Sequence, residues 1–173
     1  SVIGARFEEG LLRHLSEMEQ ASIALALARL VDADILAEEN SAPMPLLRFH
    51  HALLRDAAYG SILKRRRKDL HGRIAALIED KHPEISEKEP ETLARHHEAA
   101  GNVLVASEYW LKAGRRAVGS GANVEAIGHF KRGLRQLALL PADEDRNRKE
   151  LTFLVTMGLA VLATAGWASA EAR

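Results

Sequence analysis

The sequence predicts a mainly α-helical chain with one short β-hairpin in its first third. Three observations predict it. Apolar residues recur at helical spacing in successive segments from Phe7 to Ala165. The short runs Ile35 to Glu39 and Leu46 to His50 suit strands, and Asn40 to Pro45 between them carries Asn, Ser and two prolines, a loop signature. From Trp110 to Phe130, small residues and two aromatics are spaced as a close helical hairpin needs them.

Taken in order, Arg6 to Leu15 reads as a helix with Phe7, Leu11, Leu12 and Leu15 on one stripe. Ser16 suits an N-cap, with Glu17 and Glu19 in the following first turn. Ala21 to Ala33 is rich in good helix formers and puts Ile23, Leu27, Leu30 and Val31 on one face. The two strands follow, and helix, helix, strand, loop, strand is the order of the second half of a winged helix. No further strand is expected after His51. His51 to Gly60 is a short helix and Leu63 to Asp80 a longer one, burying Leu63, Leu70, Ile74, Leu77 and Ile78. Lys81 to Pro90 reads as a polar linker bounded by prolines. Pro90 suits a helix start, and Glu91 to Ala100 follows, closed by Gly101-Asn102.

Val103 to Val118 and Asn123 to Leu140 form the hairpin, with Gly119-Ser120-Gly121 as its turn. Trp110, Ala113, Gly114 and Ala117, then Ala126 and Phe130, match the tetratricopeptide signature Trp-x2-Leu-Gly-x2-Tyr and Ala-x3-Phe, with Ala in place of Leu and of Tyr. The residue types have a physical reason. Antiparallel helices approach closely only where small side chains meet, so Gly114, Ala117 and Ala126 belong at the crossing, and Trp110 and Phe130 fill the grooves on either side. A generic helical hairpin can satisfy the same spacing. A shift of about 34 residues, one repeat length, finds no second clean copy, so the expected array is short and degenerate. Pro141 stops the hairpin, Ala142 to Lys149 is a charged connection, and Glu150 to Ala165 is the last helix, with Gly166 as its C-cap.

The fold class is therefore mainly α: a partial winged helix with a short β-hairpin over residues 1–60, a connecting helix and linker over 61–89, and a right-handed tetratricopeptide-like helical array over 90–173. That array is expected to be truncated, and the whole chain to be cut from something longer.

Lys plus Arg and Asp plus Glu number 24 each, which gives no electrostatic reason to expect nucleic acid or an acidic membrane as partner. Apolar residues make up 47% and charged residues 28%, ordinary for a globular protein. No cysteine is present, which excludes a disulfide framework, a thiolate zinc site and a thiol nucleophile; this fits a reducing compartment, and a cytoplasmic location is expected. The basic run Lys64-Arg65-Arg66-Arg67-Lys68 reads as a solvated helix face, the alternative being a DNA contact. Against DNA, the helix that would enter the groove offers Arg29 alone beside Asp32 and Asp34. His50-His51 and His96-His97 are sequence neighbours, and neighbours in a helix point to different faces, so neither pair is expected to make a two-ligand face by itself. No metal-ligand spacing, no phosphate-binding P-loop and no nucleophile–base–acid set occurs, so neither an enzyme nor a metal or cofactor in this fragment is expected. Leu151 to Ala170 carries no charge, but Thr152, Thr156, Gly158, Thr164, Gly166 and Ser169 suit a buried array helix better than a membrane span. Its uncharged face predicts a further helix or pairing with a second copy as a homodimer.

Ser1-Val2-Ile3-Gly4 with Phe7, then Arg48-Phe49-His50-His51-Ala52-Leu53-Leu54-Arg55-Asp56-Ala57-Ala58-Tyr59, resembles the region that follows the nucleotide-binding core in bacterial STAND-type signalling ATPases. Some of these carry a class III adenylate or guanylate cyclase domain and a tetratricopeptide tail. Glu108-Tyr109-Trp110-Leu111-Lys112-Ala113-Gly114 and Ala126 to Phe130 resemble the first tail repeats. The resemblance implies a non-catalytic regulatory module of a larger ATPase that binds ATP or ADP, with the helical array meeting a protein partner or other domains of the same chain. It also implies that a histidine at the start of the helix after the last strand approaches the phosphates. His51 holds that position; Ala52 stands where the family has an acid, and the other reading of His51 is a helix-capping or core histidine.

Overall fold

A computed structural model describes residues 2–4, 6–16, 18–39 and 46–165. The loop expected at Asn40 to Pro45 and the C-cap expected at Gly166 lie outside the described residues, as does Glu17. The chain is mainly helical, with one small antiparallel sheet, and divides into two compact units, Ser1–Ile74 and Ala75–Arg173.

The first unit opens with β1 (Arg6–Glu8), α1 (Glu9–Leu15), α2 (Gln20–Asp32), β2 (Leu36–Glu39) and β3 (Leu46–Phe49). Strand order is β1-β3-β2, with Phe7 opposite Leu47 and Leu36 opposite Phe49. Arg6 to Glu8 is thus a strand and not the first turn of a helix. Pairing with β3 satisfies its backbone while Phe7 joins Ile23, Leu27, Leu36 and Leu47 in the core, a burial that a helical stripe cannot reproduce. On the other face, Glu39 takes both Arg6 at 3.4 Å and Arg48 at 3.0 Å. Ser16 does not cap α2, whose N-cap position is Glu19; the Ser16 hydroxyl instead accepts from the Met18 amide at 3.1 Å. Asp34 turns the chain from α2 into the sheet at a φ of 58°, the left-handed conformation that Asp tolerates better than most residues.

α3 (Ala52–Ser61) and α4 (Lys64–Lys81) follow, and the boundary between the units falls inside α4. Ile74 and Ile78 are buried as expected, but Leu63 precedes the helix and is 79% exposed.

The second unit continues with α5 (Pro83–Lys88), α6 (Pro90–Ala100), α7 (Val103–Gly119), α8 (Asn123–Leu137) and α9 (Glu144–Ala165). The expected linker at Lys81 to Pro90 contains a helix because Pro83 supplies a preset N-terminal turn. Gly101, at φ 85°, ends α6 in the left-handed conformation. Gly121, at φ 78°, makes the turn between α7 and α8, where the Ala122 amide reaches the Ala117 carbonyl at 2.9 Å. α8 stops at Leu137 and not Leu140; the Leu139 and Leu140 amides bond three residues back, a tighter turn ahead of Pro141. Ala142 to Lys149 is no bare connection either. The Asp143 carboxylate accepts from the Arg146 amide at 2.7 Å, an N-cap that starts α9 at Glu144.

Candidate functional site

The six hairpin residues singled out from sequence are all buried: Trp110, Ala113, Gly114 and Ala117 on α7, Ala126 and Phe130 on α8. Trp110 and Phe130 are fully enclosed, at 0% exposure each. They serve different contacts. Phe130 lies against Gly114, where an added Cβ would fall inside the ring's van der Waals envelope, and it shares a core with Ala117 and Ala126. Trp110 packs with Ala113 and with Ala94 of α6. Its indole N–H donates to Glu98 at 2.9 Å, while the His129 ring stacks on it at 5.4 Å and the Arg132 guanidinium lies 5.0 Å from the ring centroid.

The same device recurs one helix later. A Cβ at Gly133 would collide with the Phe153 ring from α9 and sit 3.1 Å from the Trp110 Cβ. Phe130 and Phe153 meet edge to face, 6.2 Å apart at 86°. Gly133 and Phe153 were missed in the sequence, although Ala126, Phe130, Gly133 and Leu137 follow the heptad-like spacing of one helix face, and all four are buried.

A polar cluster joins α4, α6 and α7 within this second unit. Glu79 Oε1 accepts from the Tyr109 hydroxyl at 2.9 Å and lies 3.1 Å from Nε2 of buried His97. Nδ1 of His97 lies 3.2 Å from the Asn102 amide nitrogen, which can only donate, so Nδ1 accepts and the ring proton sits on Nε2 toward the carboxylate. The His97 and Tyr109 rings stack at 5.5 Å, 7° from parallel. Partial burial pushes the Tyr109 phenol above its ordinary value, and the Glu79 carboxylate adds to that rise. The Ser86 hydroxyl of α5 also hydrogen-bonds the Tyr109 phenol and works against that rise; the cluster ties these helices together.

In the first unit, His51 sits at the N-cap position of α3. Its carbonyl accepts from the amides of Leu54 and Arg55, at 3.1 and 3.3 Å, while its side chain makes no capping bond and is exposed. Its ring meets that of His50 edge-on at 5.0 Å. None of the residues of α3 is fully buried, and Leu53 is 82% exposed. Arg55 pairs with Asp56 at 2.7 Å.

The basic run occupies the first turns of α4, the end of a helix where cations are disfavoured. Two of its members are engaged: Arg66 with Asp69 at 3.0 Å, and Arg67 over the Tyr59 ring at 4.8 Å. The Tyr59 hydroxyl lies 3.0 Å from Nε2 of His71. Burial, and then the Arg67 charge, lower the His71 pKa from its ordinary value. An apolar hollow of about 470 Å³, lined in part by Leu12, Leu15, Met18 and Leu70, lies in the same unit; Arg66 is the charged group of its lining, which offers little else to orient a polar ligand.

Among the described residues, no three His, Asp or Glu side chains converge to hold a metal ion, and no helix is long and apolar enough to cross a membrane. No family model matches the chain, and no solved structure matches it significantly. It is similar to an uncharacterized protein of Rhizobium meliloti (strain 1021), 24% identical over 174 aligned residues. The match covers all of this chain and 17% of that relative's length.

Proposed function

We propose that the chain is a non-catalytic coupling and protein-interaction module of a larger signalling ATPase, of the kind linked to adenylate or guanylate cyclase domains. In this reading the first unit is the second half of a winged helix, and the second unit is a short, degenerate tetratricopeptide-like stack that meets a protein partner or another domain of the same polypeptide. The observation that carries the reading is the pair of buried glycine–phenyl contacts, Gly114 with Phe130 and Gly133 with Phe153, which give successive helices one repeated way of packing. Exposed His51, beside the uncovered surface of α3 and Leu53, supports a docking role for that end of the first unit, where ATP or ADP would be sensed. The length of the Rhizobium relative supports a module within a longer chain. The coupling would work by order and docking of α3 changing with nucleotide state.

The test is hydrogen exchange over residues 50–61 in the longer polypeptide with ATP and with ADP. Protection that differs between the two and is lost in His51→Ala supports the role; identical protection refutes it. The DNA-binding reading is weakened by the contacts of Arg66 and Arg67, which leave fewer free cations on α4. A salt-dependent gel shift with duplex DNA would reinstate it.

A further inference from the structure

The hollow in the first unit has a charged end and an apolar length. On α4, Arg66, Leu70 and Ile74 follow one another at four-residue spacing, and all three line it. That row runs about 12 Å along the helix. It carries a guanidinium at one end and only hydrocarbon beyond. Leu12 and Leu15 of α1, and Met18 past the end of that helix, continue the apolar length. The two helices are pinned together, because the Arg73 guanidinium donates to the Leu15 carbonyl at 2.9 Å. Met18 is 56% exposed, so the hollow reaches the surface. Its volume of about 470 Å³ lies within the range of small-molecule sites, roughly 300–1,000 Å³.

The charge at the head end is not that of Arg66 alone. Lys64, Arg65, Arg67 and Lys68 stand beside it in the first turns of α4, where the backbone amides without helical partners already favour an anion. Asp69 pairs with Arg66 at 3.0 Å, but both side chains are half exposed, and a pair of that kind holds weakly. A guanidinium has five N–H donors, so Arg66 can keep Asp69 and take a second acid. Among the described residues of the lining, Arg66 is the one charge. A lining with one positive end and no other charge fits a molecule with a head and a tail. Nucleic acid offers no tail, and a neutral hydrocarbon leaves the cationic end unanswered.

We propose that this hollow binds a single-chain anionic amphiphile, a long-chain carboxylate, with its acid on Arg66 and its alkyl chain laid along Leu70 and Ile74 between α4 and α1. The site stands apart from the nucleotide-coupled role, so either can fail without the other.

Isothermal titration calorimetry of the 173-residue chain with sodium dodecanoate, kept below micelle formation, tests it. Saturable one-to-one binding is expected, with a Kd below about 100 µM. Dodecyltrimethylammonium, the same tail with the opposite head, should bind at least about tenfold more weakly, and acetate, the head without the tail, should not bind up to about 10 mM. Arg66→Gln should weaken dodecanoate at least about tenfold and leave dodecyltrimethylammonium no weaker, and Arg66→Lys should recover part of the loss. Met18→Glu, at an exposed position of the lining, sets a carboxylate against the chain and should weaken dodecanoate similarly; it keeps the test open should Arg66→Gln misfold. No saturation by about 1 mM, or equal affinity for the two heads in parent and Arg66→Gln alike, overturns the proposal. So does capture of the chain by phosphatidylglycerol vesicles that dodecanoate does not compete away, because the basic end would then serve a bilayer surface. Binding that the longer polypeptide lacks overturns it as well, because another segment of that polypeptide would then fill the hollow.

Discussion

Replacing Gly114 by alanine adds one methyl group where α7 and α8 are closest. Two terms oppose each other. Alanine is the better helix former by about 1 kcal/mol at an internal helical position. Against this, the new Cβ lands inside the Phe130 ring, which is fully buried and held edge-on by Phe153, so it cannot swing aside without disturbing a second ring. Overpacking of this kind costs about 1–3 kcal/mol, and two fixed rings put this site at the upper end. The net expectation is a loss of about 1–2 kcal/mol, which lowers the melting temperature by roughly 5–10 °C for a unit of about 100 residues. Thermal unfolding followed by circular dichroism measures it, with Gly158→Ala as the internal control. At Gly158 the propensity gain faces no opposing contact, so that variant should melt higher than the parent. If Gly114→Ala melts at or above the parent, the account of the hairpin fails, because the ring would not be lodged against that glycine.

Three further expectations use the same logic. Ala126→Leu inserts a branched side chain at a position of 0% exposure and should lower the melting temperature, whereas an unchanged value counts against the close crossing. Phe153→Ala should cost about 3–5 kcal/mol because Gly133 has no side chain to collapse into the void; adding Gly133→Ala in that background should restore part of the loss, and purely additive losses would refute the contact. For His71, the folded-state pKa lies below the unfolded value, so the unfolded chain binds more protons. Its contribution is therefore fully present above about pH 6.5 and lost as pH falls through the lowered value, so the first unit should lose stability on acidification, with a smaller slope in His71→Gln.

The helical stripes and the hairpin were legible because they are local. Trp110, Gly114, Ala126 and Phe130 lie on two neighbouring helices joined by a short turn, so spacing alone aligns them. Arg6 to Glu8 was misread because its partner, β3, lies far along the chain; nothing in Arg-Phe-Glu itself favours a strand over a helix until Leu47 is opposite Phe7. The start of α9 was misread for a smaller reason. Seven of the eight residues from Ala142 to Lys149 are charged or polar, and that composition hid the one carboxylate, Asp143, whose bond to the Arg146 amide begins a helix. The Glu79–His97–Tyr109 cluster joins residues from three helices and leaves no periodic trace. His51 was placed correctly at the head of α3, but sequence could not tell that its ring would leave the cap unmade.

Phe130 takes part in both glycine contacts at once: it fills the space at Gly114 and braces the ring that fills the space at Gly133. An axial slip of α8 by a single residue is about 1.5 Å, enough to unseat both rings together. Neighbouring rods in this part of the molecule are thus geared, like toothed bars that share a cog. A push delivered to any one of α7, α8 or α9 would travel through the other two as rigid displacement and would not dissipate as sliding between them.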